Sequence, residues 1–312
     1  MNIYSEYHTL SKSQSNKELI ELVKKNDILG IEYLLTSKMV ENHPNINHID
    51  YFGVPALLYA IINRNLSIVQ YLLTDPALKI HADINSIDYD DGFNALLLAI
   101  SINSEEITEY LLLNPTFKNK IDIHYQARDR ENALMLACRN GNLNIVKLLL
   151  ERNINTENSQ ILDISKSQNM NAFLWACRSD NVELIKYLIT FSNYNSDFIF
   201  HKDSQNNSAL HHAYYRKCHH TIEYLITDLN FDIYDQVNKN NSIFNIAYKS
   251  QDEQLITDLL IKYNFIVNED IKEWIEDNKE SPMYEVTQSI LQQKYLNNTL
   301  TNNNHFHKTN KI

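Results

Sequence analysis

The sequence predicts an all-α protein, an array of stacked helix-turn-helix units with hairpin or loop connections and helical caps at both ends. Three observations predict it. Residues 131–151 read as two short helices around a tight turn. An alanine recurs in the first helix of successive units, at Ala60, Ala99, Ala137, Ala176, Ala213 and Ala247, in steps of 39, 38, 39, 37 and 34 residues. The position before each first helix holds Asn94, Asn132, Asn171, Ser208 or Ser242, whose side chains can accept from the free amides of a first helical turn. Pro55 stands there in one unit, and proline is tolerated at a helix start.

Residues 131–151 show why the units must stack. Ala133, Leu134 and Ala137 form an apolar stripe at helical spacing. Asn140, Gly141 and Asn142 stop that helix, because glycine takes a left-handed conformation without a Cβ penalty. Ile145, Val146, Leu148, Leu149 and Leu150 are too apolar for a helix with one wet side. Such a pair needs a copy on each side to bury its faces.

In chain order, residues 1–15 are polar and are expected to be a flexible segment. A first pair over 16–36 carries Lys17, Glu18, Glu21, Lys24 and Lys25 outward, as a capping unit requires. Six further pairs follow, and the array is placed at 16–263, about seven units. The drift in period falls in the connections after the second helices. Two residues before the caps stand Gly53, Gly92, Asn169, Asn206 and Asn240, residues that take positive φ readily, so a tight turn is expected there. Arg130 is the exception. Tyr33, Tyr71, Tyr110, Tyr187 and Tyr224 share one second-helix position, where residues 131–151 have Leu148. Beyond 263, Glu269–Asp277 forms a helix around Ile271, Trp274 and Ile275, and Pro282 opens another. Residues 264–297 are read as a C-terminal helical cap and 298–312 as a disordered, Asn-rich tail.

The units resemble ankyrin repeats. That family's Thr-Pro-Leu-His-x-Ala signature survives as Ser208-Ala209-Leu210-His211-His212-Ala213, and more loosely as Asn132-Ala133-Leu134-Met135-Leu136-Ala137. Its turn followed by Val-Val-x-Leu-Leu matches Gly141-Asn142 with Ile145-Val146-Lys147-Leu148-Leu149. Asp50-Tyr51-Phe52-Gly53 and Asp203-Ser204-Gln205-Asn206 match the preceding hairpin. The signature proline is missing, the steps are long, and glycine is nearly absent from the helix turns.

Composition excludes other classes. Hydrophobic residues make up 44% of the 312 residues, ordinary for a folded chain. Only four glycines and five prolines leave little for Gly-rich phosphate loops or turn-dense β folds. A formal net charge of -11 and no basic patch argue against nucleic acid. No run approaches the roughly 20 apolar residues that span a bilayer, so no membrane role is expected. Cys138, Cys177 and Cys218 are widely spaced, without paired metal spacing, and the N-terminus shows no basic-then-apolar secretory signal. A cytoplasmic setting and a monomer are expected.

No catalytic residue, cofactor or metal is expected. Cys138 and Cys177, each following the repeated alanine, read as small apolar packing. His211, His212, His219 and His220 are the strongest metal candidates, but no nearby cysteine or carboxylate completes a set in sequence. Repeated carboxylates such as Glu105-Glu106 read as solvated helix faces.

The resemblance implies a non-enzymatic module that binds partner proteins through the concave face and hairpin tips of the array. By the family's register, tip positions include Tyr51, Phe52, Phe93, Arg128 and Asp129, with Arg139, Arg178 and Tyr215 on helix faces. Tyr51, Phe52 and Phe93 are aromatics where the fold would accept polar residues, which makes them candidate anchors unless longer connections bury them. Trp175 stands where a side chain lines the same face, and packing and contact both remain open for it. Two alternatives are a secreted effector of an intracellular microbe acting on host proteins in the host cytoplasm, and a zinc-dependent regulator using the His211/His212/His219/His220 cluster.

Overall fold

The computed structural model describes residues 4–153, 168–192, 195–235 and 242–309, with side chains described at all of these except 152–153 and 297–309. Every named element among the described residues is helical, and an isolated β-bridge joins Ile49 to Pro55. The chain divides into two compact units, residues 1–176 and 177–312.

In the first unit the helix pairs are α1 (Lys12–Lys24) with α2 (Ile28–Thr36), α3 (Ala56–Ile62) with α4 (Leu66–Thr74), α5 (Ala95–Ser101) with α6 (Glu105–Leu113), and α7 (Ala133–Arg139) with α8 (Leu143–Asn153). Helix α9 (Ala172–Ala176) closes the unit. The first helices pack in order, α1 on α3, α3 on α5, α5 on α7 and α7 on α9. The recurrent alanines explain how: Ala60, Ala99, Ala137 and Ala176 are all fully buried, and only a small side chain lets neighbouring helices approach this closely. The cap column works as its residue types predict. Asn94, Asn132 and Asn171 accept from the amides of Leu97, Met135 and Leu174, each at 2.9 Å.

The turn inside each pair has one recurrent conformation. Asn26, Arg64, Asn103, Gly141, Asp180, Lys217 and Gln251 all lie at φ between +53° and +70°. Only one of them is glycine, yet the side chains there and beside them join neighbouring pairs. Asn63 Nδ2 donates to the Val23 carbonyl at 3.0 Å, Asn65 Nδ2 to Asn26 Oδ1 at 3.0 Å, and Asn142 Nδ2 to Asn103 Oδ1 at 3.2 Å. Arg64 donates to the Ile102 carbonyl. A helix C-terminus leaves carbonyls without helical partners, and a neighbouring pair supplies the donors. That contribution offsets the strain of holding a non-glycine residue at positive φ.

Residues 4–15 are structured, unlike the flexible segment expected from their polarity. A 3₁₀ turn over Ser5–Thr9 leads into α1, which starts at Lys12 behind a Ser11/Gln14 capping box. Tyr7 is buried, and the Tyr4 hydroxyl donates to Asp27 at 3.2 Å. Two aromatic side chains thus hold a segment whose other residues, Leu10 apart, are polar.

The second unit contains α10 (Val182–Phe191), the short α11 (Ser196–Ile199), α12 (Ala209–Tyr215), α13 (His219–Thr227), α14 (Ile243–Lys249) and α15 (Glu253–Thr257), the last running into a π-helical turn over Asp258–Lys262. Helix α12 packs on both α13 and α14. Helix α16 (Glu269–Asp277) lies over the seventh pair through Trp274, edge-on to Tyr248 at 5.1 Å. Helix α17 (Met283–Thr309) packs against α15, and Lys294 Nζ donates to the Phe265 carbonyl at 2.9 Å. Its backbone stays helical through Thr309, past the tail boundary set at 298, since no glycine or proline follows Pro282 to break it. The turn expected at Asn240 lies outside the described residues.

Candidate partner-binding surface

The hairpin tips are organised by aspartates that fold the loop onto themselves. The Asp50 carboxylate accepts from the Phe52 and Val54 amides, both at 3.0 Å, and from the Tyr59 hydroxyl at 2.7 Å. Burial works against its charge, but those donors and Lys24 together hold its pKa below the ordinary value. Asp88 does the same for Asp91 and Gly92, at 2.8 and 2.9 Å, and Asp203 for Gln205 and Asn207, at 2.9 and 2.8 Å. Each tip then needs one residue at positive φ, and Gly53, Gly92, Arg130, Asn169 and Asn206 all take it. Arg130 therefore makes the same turn as its glycine and asparagine counterparts. The Ala127–Glu131 backbone bond at 3.0 Å holds it there.

With the loop pinned from inside, its side chains point out. Tyr51 is 96% and Phe52 64% exposed, and the two rings meet edge-on at 5.5 Å. Tyr89, 55% exposed, lies so close over Gly53 that a Cβ there would stand 2.2 Å from its ring. Tyr51, Phe52 and Tyr89 thus make an exposed aromatic cluster at the second and third tips. The connections leave Tyr51 and Phe52 open, whereas Phe93 is half-buried.

Phe93, Asp129, Arg139 and Trp175 come together around a recess of about 460 Å³ that Asp91 and Glu131 also line. Trp175 is 9% exposed, with the Arg139 guanidinium 5.6 Å from the centre of its ring. It is therefore both packed and part of the recess wall. Arg139 Nη1 donates to Glu131 Oε1 at 3.1 Å. Arg128 is exposed beside it, and its amide donates to the Asp91 carbonyl at 3.0 Å, tying the third tip to the fourth.

Arg178 and Tyr215 belong to the second unit, where Arg178 is half-buried and Tyr215 is 45% exposed. The same unit separates the four histidines. His211 Nδ1 lies 2.8 Å from Ser208 Oγ and completes the N-cap of α12, so the signature histidine acts at the helix start. His212 Nε2 lies 3.1 Å from Asp203, His219 faces Asp252 at 3.7 Å, and His220 Nδ1 bonds Asp180 at 2.9 Å. Each imidazole has its own partner, and among the described residues no group of three or more His, Cys, Asp or Glu could hold a metal ion. The His cluster proposed for zinc is thus not a cluster in space. Burial depresses the pKa of His212 to about 4, with Asp203 opposing.

A family model described as ankyrin repeats matches residues 19–122, 77–160, 113–197 and 157–236, more than half of the chain. The chain belongs to the ankyrin-repeat family. Among solved structures, the ankyrin repeat domain of Bcl-3, described as a unique member of the IkappaB protein family, is similar at 20% identity and a TM-score of 0.52. The match covers 73% of this chain and 92% of that one. A chain from the complex of the Bd0816 predatory endopeptidase of Bdellovibrio bacteriovorus with the immunity protein Bd3460 is similar at 18% identity and a TM-score of 0.53, covering 68% and 98%. No curated protein matches the chain. Among the described residues no helix is long and apolar enough to cross a membrane.

Within this ankyrin array, sequence reading missed Tyr89 as a tip aromatic. The signal was present: Tyr51 and Tyr89 each follow the aspartate that folds the loop, but the third tip is one residue longer and shifts the register. The seventh ankyrin pair, α14 with α15, lies beyond the family match and keeps the Ser242 cap, bonded to the Asn245 amide at 3.2 Å.

Proposed function

We propose that the chain is a non-enzymatic protein-interaction module that binds a partner protein through its hairpin tips and the adjoining first helices. Tyr51 and Phe52, with Tyr89 beside them, are the anchors. The recess formed by Phe93, Asp129, Arg139 and Trp175, with Arg128 next to it, extends the surface within the first unit. Arg178 and Tyr215 offer a separate contact in the second. The observation that carries this reading is the exposed Tyr51–Phe52 pair, held out by a loop whose own polar groups are satisfied internally. Nothing in the packing of the fold requires these rings to face water, and exposed aromatics clustered on a rigid support mark binding surfaces. The ankyrin fold is typically an interaction scaffold, and one structural neighbour comes from an endopeptidase–immunity protein complex, which supports the same reading.

The test is proximity labelling in cells with the wild-type chain and with Tyr51→Ser/Phe52→Ser. Because both rings are exposed, the double variant keeps its fold, which circular dichroism checks. The expected result is loss of a defined set of partners. An unchanged partner set in a folded variant would overturn the reading.

A further inference from the structure

The recess between the third and fourth tips has features that go beyond a general contact surface. Its volume, about 460 Å³, falls within the range of about 300–1,000 Å³ that binding clefts occupy. Two of its walls are the rings of Phe93 and Trp175. Its charge is one-sided: Asp91, Asp129 and Glu131 face a single guanidinium, that of Arg139. Arg139 is engaged by Glu131 at 3.1 Å, whereas the Asp91 and Asp129 carboxylates accept no hydrogen bond from the described residues and lie open to solvent.

We propose that this recess receives an arginine or lysine side chain of the partner protein, paired with Asp91 and Asp129 between the two aromatic walls. The inference rests on the reading of the tips as a partner-binding surface and names the chemistry of what binds there. Charge complementarity carries it. A concave site with an excess of one sign of charge, here three carboxylates to one guanidinium, focuses the field and favours a cation, and an aromatic face adds cation–π attraction. The chain already displays this mode of recognition within itself. The Arg139 guanidinium sits over Trp175 and pairs with Glu131, and the neighbouring carboxylates offer a second cation the same arrangement. Surplus negative potential also shows at Glu131. Burial raises its pKa, and Asp129 and Asp91 push the same way against Arg139.

The test uses the full chain as bait for phage-displayed random peptides, followed by fluorescence polarisation with a labelled selected peptide. The selected peptides are expected to share an arginine or lysine. Replacing it with citrulline or acetyl-lysine should weaken binding about tenfold, the scale of losing a solvent-exposed ion pair together with a cation–π contact. Asp91→Asn/Asp129→Asn should weaken the cationic peptide about fivefold, as loss of exposed ion pairs does, and leave the neutral analogue unaffected. Both carboxylates are exposed, so this variant folds. A selected consensus without a cation, or a cationic peptide whose affinity survives Asp91→Asn/Asp129→Asn within about twofold, would overturn the proposal. In that case peptides still lost on Tyr51→Ser/Phe52→Ser leave the tip surface standing and remove only the cation site. Peptides insensitive to both variants, or no selected peptide at all, overturn both.

Discussion

Gly141 allows the turn geometry to be tested quantitatively. It stands at φ +70°, in the position that Asn26, Arg64, Asn103, Asp180, Lys217 and Gln251 occupy at +53° to +59° in the other pairs. Six ordinary side chains therefore tolerate this conformation, and Gly141 should be replaceable by some residues and not by others. Gly141 borders an open polar hollow lined by Asn103, Glu105, Asn140 and Asn142, and its backbone conformation is what a substitution tests. A left-handed conformation costs an L-residue roughly 1–2 kcal/mol, least for asparagine. Removing glycine returns about 0.4–1 kcal/mol by restricting the unfolded chain. Gly141→Asn should thus lie within about 0.5 kcal/mol of wild type, while Gly141→Val, whose β-branched side chain is an outlier at positive φ, should lose about 2 kcal/mol. Urea unfolding followed by far-UV circular dichroism measures both. Equal stabilities of the two variants would refute the reasoning, because then the turn would not impose its φ on the residue.

Three further outcomes are expected. Asn132→Ala removes the bond to the Met135 amide at 2.9 Å from a cap that is 5% exposed, and should cost about 1 kcal/mol in the same urea assay; an unchanged midpoint would show that the cap does not hold α7. His212 binds its proton more weakly when folded, its pKa depressed from 6.5 to about 4 by burial, so the unfolded chain takes up more protons between those values. Stability is then fully present above pH 6.5 and lost as pH falls towards 4, on the order of 3 kcal/mol, and the difference between wild type and His212→Gln across that window should show this slope; parallel profiles would refute it. Cys138 is fully buried and its thiol is pushed well above the ordinary range by desolvation, so iodoacetamide should label it only after denaturation; mass spectrometry showing rapid labelling of the native chain at Cys138 would contradict its placement.

Much of the helical frame was legible because its signals are local. Asn132 caps α7 by a bond to a residue three positions on, and no distant partner is needed to predict it. The alanine column was legible for the same reason: close helix packing leaves a periodic demand for small residues. The N-terminal segment was not, because the burial of Tyr7 and the bond from Tyr4 to Asp27 depend on a surface that only the folded first pair presents. Arg130 and Tyr89 show the same limit at the tips. Arginine has no intrinsic preference for positive φ, and the Ala127–Glu131 bond of the closed loop imposes it. Tyr89 became part of the aromatic cluster only when the longer third tip laid it over Gly53.

The sequence by itself determined the class of fold, the register of the units and the residue types at the tips, since periodicity, caps and turn formers act over a few residues. Tertiary structure alone decided which of those residues lie together. It separated four histidines that follow closely in sequence, and it gathered Phe93, Asp129, Arg139 and Trp175, spread over more than eighty residues, around one recess. The physical reason is that a repeat array converts one sequence period into one layer of structure. Residues a full period apart become neighbours, while residues one helical turn apart can face different partners.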